Sequence, residues 1–207
     1  GNPVIVPGGD YMIDFMTGTL ALNNEPDPGQ LQVVVFSTGG VGTSVREAQP
    51  NAPGTGYQPG DVITLGGSAR IAANVAVLDV TAVSVTITNQ GNGYVTGDRL
   101  VLQGGTTNLY ETNVEVMVGS VNNNGGITAA TISMPGHYSN ISTITVDGWN
   151  TNGAGSGAVI EPHWGVKRTT VVAPGSYLLN PTGNAVPQLS TTGAGTGATF
   201  TLLYDNE

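Results

Sequence analysis

The chain has 207 residues, no cysteine, 32 glycines and only 9% charged residues, so neither disulfides nor thiolate metal sites can staple it. Five basic against fourteen acidic side chains leave a net charge of −9, which repels a phosphate backbone and excludes nucleic acid as an expected partner. A hydrophobic content of 39% rich in β-branched residues argues for a folded chain, and no apolar run approaches the roughly 18 residues that membrane insertion requires.

The first residues, Gly1-Asn2-Pro3-Val4-Ile5-Val6-Pro7, lack a basic n-region followed by an apolar h-region, so neither signal peptide nor anchor is expected. A start at Gly rather than Met implies processing, or a cut from something longer. Residues 1–43 read as a β meander, a possible attachment or assembly region. Asp10-Tyr11-Met12-Ile13-Asp14-Phe15-Met16 and Thr19-Leu20-Ala21-Leu22 flank the turn Thr17-Gly18. Pro26-Asp27-Pro28-Gly29 makes a second turn before the run Leu31-Gln32-Val33-Val34-Val35-Phe36, and Gly39-Gly40-Val41-Gly42 is a hinge.

Beyond residue 43 the chain repeats itself. Gly54-Thr55-Gly56-Tyr57-Gln58-Pro59-Gly60-Asp61 returns as Gly91-Asn92-Gly93-Tyr94-Val95-Thr96-Gly97-Asp98, each followed by a short apolar strand and a Gly-Gly pair. Worn copies are centred on Gly136-His137-Tyr138 and Gly175-Ser176-Tyr177, and successive tyrosines stand 37, 44 and 39 residues apart. Four units follow: 44–80, 81–121, and the degenerate 122–164 and 165–207, each predicted to hold about three strands. Variable spacing disfavours a strict solenoid, so the expected fold is all-β: tandem small β-sandwich or β-prism modules after the meander. No stretch sustains a helical apolar period.

The repeated residues are read as structural. Gly56, Gly60, Gly93 and Gly97 suit turns in which a Cβ is unwelcome. Tyr57, Tyr94, Tyr138 and Tyr177 are expected in module cores, ring buried and hydroxyl satisfied. Asp61 and Asp98 fit turn-capping carboxylates. A calcium reading would lose its carboxylate in half the units, where Ser142 and Pro181 align, so no metal or cofactor is expected. The strings Gly39-Gly40-Val41-Gly42-Thr43-Ser44 and Gly153-Ala154-Gly155-Ser156-Gly157 lack the Gly-Lys-Ser/Thr of a phosphate loop and read as flexible lead-ins to strands.

Catalytic constellations are sparse. His163 stands near Glu161 and Trp164 without a nucleophile-elbow sequence, and His137 stands alone. Asp10, Asp14 and Glu25 supply acids of the kind a glycosidase pairs, as any acidic chain does. No enzyme is expected. Trp149 and Trp164 flank the most irregular stretch and are the candidate ligand contacts.

The tandem Gly-x-Gly-Tyr-x-x-Gly-Asp units, over about 43–204, resemble those of bacteriophage virion proteins of the tail-fibre, adhesin and head-decoration kinds. That resemblance implies a non-enzymatic part at the virion surface or otherwise extracellular, built in multiple copies. It implies self-association, with a trimer favoured, and contacts to other virion proteins. A receptor- or glycan-binding adhesin, or a subunit of a bacterial surface filament, is the alternative expectation.

Overall fold

The computed structural model describes residues 4–5, 11–14, 19–22, 43–107, 113–141, 145–150, 153–177 and 185–205, giving strand placement alone for the first three segments and for 145–150. The chain divides into two compact units, Gly1–Gly42 and Thr43–Glu207.

In the first unit β1 (Val4–Ile5), β2 (Tyr11–Asp14) and β3 (Thr19–Leu22) form an antiparallel sheet in that order. Tyr11 faces Leu22 and Asp14 faces Thr19, so the hairpin closes over the expected turn. β1 was not assigned from sequence. The strand expected at 31–36 and the hinge at 39–42 lie outside the described residues.

The second unit holds β4 (Val45–Thr55), β5 (Val62–Leu65), β6 (Asn74–Asn92), β7 (Arg99–Gln103), β8 (Thr106–Thr107), β9 (Glu115–Val121), β10 (Ile127–Met134), β11 (Tyr138–Asn140), β12 (Thr145–Asn150), β13 (Ser156–Ala173), β14 (Val186–Thr191) and β15 (Thr196–Tyr204). Among the described residues there is no helix, so the fold is all-β. Antiparallel pairings connect these strands in the order β10-β9-β7-β12-β13-β6-β5-β14-β15-β4, with β11 bridging β6 and β8. Alternation sends one face inward: Ile63 and Leu65 of β5, Val75 and Val77 of β6, Leu100 and Leu102 of β7, Val116 and Val118 of β9 and Phe200 of β15 are all buried.

Two strands are far longer than the sequence reading supplied. β6 joins the third strand of the first repeat to the first strand of the second without a break, and β13 does the same for the third and fourth repeats. Val and Thr recur through the β6 junction, and no Gly or Pro interrupts β6 between Asn74 and Gln90, whereas β13 runs on through Pro162 and Gly165. β6 and β13 pair antiparallel from Asn74 opposite Ala173 to Asn92 opposite Ser156, with Ala82 against Trp164 near the middle. This places the first repeat across from the fourth, and the second across from the third. The arrangement has an approximate two-fold axis at Ala82 and Trp164 that exchanges the first repeat with the third and the second with the fourth.

Candidate functional site

Each repeat delivers its tyrosine to the crossing of two strands, and the strand that receives it belongs to another repeat. The Tyr57 hydroxyl accepts the Ala198 N–H at 3.2 Å, and that of Tyr94 the Ala158 N–H at 3.3 Å. The Tyr138 hydroxyl accepts the Val114 N–H at 2.9 Å. The Tyr177 hydroxyl accepts the Ala73 N–H at 3.5 Å and donates to the Gly66 carbonyl at 3.2 Å. All four rings are buried. The first and fourth repeats thus lock each other, as do the second and third. Gly54, Gly91, Gly136 and Gly175 mark the matching bend before each tyrosine, at φ 62°, 62°, 64° and 66°. They sit so close to the receiving strand that a Cβ would collide with its backbone.

Burial dominates the electrostatics of these sockets. It pushes the hydroxyls of Tyr57, Tyr138 and Tyr177 above the usual phenol range, against the lowering effect of the backbone N–H that each accepts. The nearby Asp61 carboxylate adds to the rise at Tyr57. Tyr204, edge-on to Tyr177 at 5.6 Å between ring centroids, is pushed up to about 12 by burial and then by Tyr177.

Two sockets are closed by the glycine-rich strings. Gly195 lies against the Tyr57 ring and Gly155 against the Tyr94 ring, where a Cβ on either would collide with the ring atoms. The string around Gly155, expected to be a flexible lead-in, is therefore a lid fixed by contact with an aromatic face. Its signal was available in the sequence. Gly-Ala-Gly-Ser/Thr-Gly-Ala occurs at 153–158 and again at 193–198, each time ending on the alanine whose N–H meets a tyrosine.

The turns after Tyr57 and Tyr94 are built alike. Asp61 accepts the Gln58 N–H at 2.9 Å and Asp98 accepts the Val95 N–H at 3.1 Å. Gly60 and Gly97, at φ 94° each, donate to the carbonyls of Val77 and Val118. Each Gly-Asp corner therefore ties its turn to the third strand of its own repeat.

A buried charge cluster was not singled out from sequence. Asp79 on β6 is 1% exposed. Its Oδ2 receives Arg168 Nε of β13 at 2.6 Å and stands 3.0 Å from His137 Nε2. The pairing register sets Arg168 directly opposite Asp79, a cross-strand relation invisible in one dimension. Although the Arg168 side chain is 56% exposed, replacing it leaves a buried carboxylate without its closest cation. We expect Arg168→Ala to lower unfolding free energy by about 2 kcal/mol. The adjacent exposed Lys167→Ala should stay within roughly 0.5 kcal/mol. Urea midpoints of the two variants measure the difference.

None of this makes a catalytic triad. His137 faces an acid and a guanidinium, and the nearby Thr81 hydroxyl is directed to the carbonyls of Pro135 and Gly136. His163 Nε2 lies 2.8 Å from the Thr86 hydroxyl on paired strands, and among the described residues no carboxylate bonds that ring. No group of three or more acids and histidines able to hold a metal occurs among the described residues.

Trp164, half-buried, packs edge-on against Tyr138 at 5.1 Å between ring centroids, and its carbonyl accepts the Tyr57 N–H. It thereby fastens the turns of the first and third repeats to the centre of β13. Those turns continue into a groove of about 500 Å³ lined by Gln58, Pro59, Ser139, Asn140 and Ile141. Trp149 lies on β12, and its side chain is outside the described residues. No protein-family model, no curated protein and no solved structure matches this chain.

Proposed function

We propose that the chain is a non-enzymatic structural protein of a bacteriophage virion, a fibre or decoration component assembled in multiple copies on the particle surface. The observation that carries this reading is the reciprocal locking of the four tyrosine sockets. Every repeated aromatic braces one strand against another, and none lines a cleft. In this reading four three-strand units, exchanged in pairs across β6 and β13, act as one cross-braced sandwich able to hold its shape without disulfides. The ends of the strand network fit assembly in copies. β4 carries Pro50 and Pro53, which cannot donate to a further strand, whereas β10 carries neither proline nor charge and offers an edge to a neighbour.

The test is to purify particles from a phage encoding the chain and locate it with a specific antibody by electron microscopy. Labelling of the same outer structure at many positions is the expected result. Its absence from washed, intact particles would remove the proposal. The groove lined by Gln58, Pro59, Ser139, Asn140 and Ile141 favours a second reading, an adhesin that binds a surface glycan.

A further inference from the structure

We infer that the groove between the turns following Tyr57 and Tyr138 is a binding site for an uncharged carbohydrate segment. The inference rests on the adhesin reading and names its site and ligand class.

Charge restricts the ligand first. None of Gln58, Pro59, Ser139, Asn140 and Ile141 is ionised, and among the described residues no basic side chain lines the groove. The Asp61 carboxylate stands at its margin, bonded to the Gln58 N–H, in a chain of net charge −9. Phosphates, sulfated sugars and acidic peptides therefore meet repulsion without a compensating cation. Among the described residues a cation meets no carboxylate in the lining.

What remains suits a sugar. The side-chain amides of Gln58 and Asn140 each carry an acceptor and a paired donor, the complement of neighbouring hydroxyls that also do both. Both residues are exposed. Pro59 and Ile141 supply apolar surface for the C–H face of a pyranose ring. A volume of about 500 Å³ lies within the roughly 300–1,000 Å³ of small-molecule sites.

The groove is also well supported. The Asp61 carboxylate fixes the Gln58 backbone, and Tyr138 anchors the opposite turn with its ring buried and its hydroxyl on Val114. Trp164 joins the two. The lining is thus held before a ligand arrives, which reduces the ordering cost of binding.

The experiment uses the full chain and an array of neutral and sialylated oligosaccharides, followed by titration of the best neutral hit. Binding to one or more neutral glycans is expected, with sialylated forms of the same glycans at least tenfold weaker. Gln58→Ala and Asn140→Ala should each weaken binding about 3- to 10-fold. Gln49→Ala, an exposed amide on β4, should leave it unchanged. Circular dichroism of each variant verifies the fold, and amide side-chain NMR shifts of Gln58 and Asn140 in the unaltered protein give a readout free of mutation. Glycan binding that both substitutions leave intact, with no shift of those amides, overturns this site and leaves the adhesin reading standing. No binding to any neutral glycan, or preference for the sialylated forms, overturns the ligand assignment; no binding to any glycan overturns the adhesin reading as well.

Discussion

Gly155→Ala is expected to destabilise the protein by about 3 kcal/mol or more, close to the cost of deleting the Tyr94 side chain altogether. The added Cβ would occupy the space of the Tyr94 ring, whose other surroundings are Gly91 and the Ser156 to Ala158 backbone. A single methyl group thus has two outcomes, expulsion of the ring or separation of β13 from the bend at Gly91, and both break the Ala158 N–H bond to the tyrosine hydroxyl. Gly195→Ala should act alike on Tyr57. Two comparisons isolate the mechanism. Tyr94→Phe keeps the ring and removes only the hydrogen bond, for about 1 kcal/mol. Gly97→Ala adds a Cβ with no heavy atom within 4 Å, so its cost is the left-handed backbone at φ 94° alone, about 1 kcal/mol. Urea unfolding of the four variants orders them. A Gly155→Ala loss no larger than that of Gly97→Ala would mean that the glycine-rich string is not a lid.

The same contrast explains what a linear reading reached. The tyrosines were legible because a motif that recurs in one chain exposes its own constraints, and alternating Val and Thr announced strands around each copy. The sequence pointed to Gly56 and Gly93 as the positions where a Cβ is unwelcome, and both have positive φ, but the closest backbone approach falls at Gly54 and Gly91. Partner choice was not legible. Tyr57 and Ala198 are 141 positions apart, and nothing local states that the first repeat pairs with the fourth rather than the second. That choice follows from the unbroken passage of β6 and β13 through two repeats each, which carries neighbouring repeats along one strand and brings distant ones side by side. Hence the expected modules became shared strands. The Asp79, Arg168 and His137 cluster was hidden for a related reason. The cross-strand register creates it, and the third repeat alone places a histidine before its tyrosine. The groove was hidden too, because Gln58 and Asn140 occupy positions that differ from copy to copy and carry no repeat signal.

Alkaline titration should unfold this protein in one step in which the sheet and the phenolic protons are lost together. The folded hydroxyls of Tyr57, Tyr138, Tyr177 and Tyr204 all lie above the ordinary phenol value of 10.0, the last at about 12. A raised folded value means that the folded chain keeps protons which the unfolded chain gives up. The stabilisation is complete below pH 10 and falls as pH rises from there through the folded values. Each tyrosine that stays protonated while its unfolded counterpart ionises costs about 1.4 kcal/mol per pH unit until its own folded value is reached. Stability is therefore drawn down above pH 10, by Tyr204 over the interval up to about 12 and by Tyr57, Tyr138 and Tyr177 over the intervals their raised values open. Absorbance at 295 nm and far-ultraviolet circular dichroism should share one midpoint above pH 10. Tyrosines ionising near pH 10 with the sheet intact would show the rings to be wet. Tyr204→Phe sharpens the test, because the Tyr204 hydroxyl is buried with no hydrogen-bond partner among the described residues. Removing it leaves no donor orphaned, so stability at pH 7 should hold or rise by up to about 1 kcal/mol. It also removes one of the four coupled protons, so the alkaline midpoint should move upward. A downward shift would mean that this hydroxyl is bonded in solution and that burial alone does not set its proton affinity.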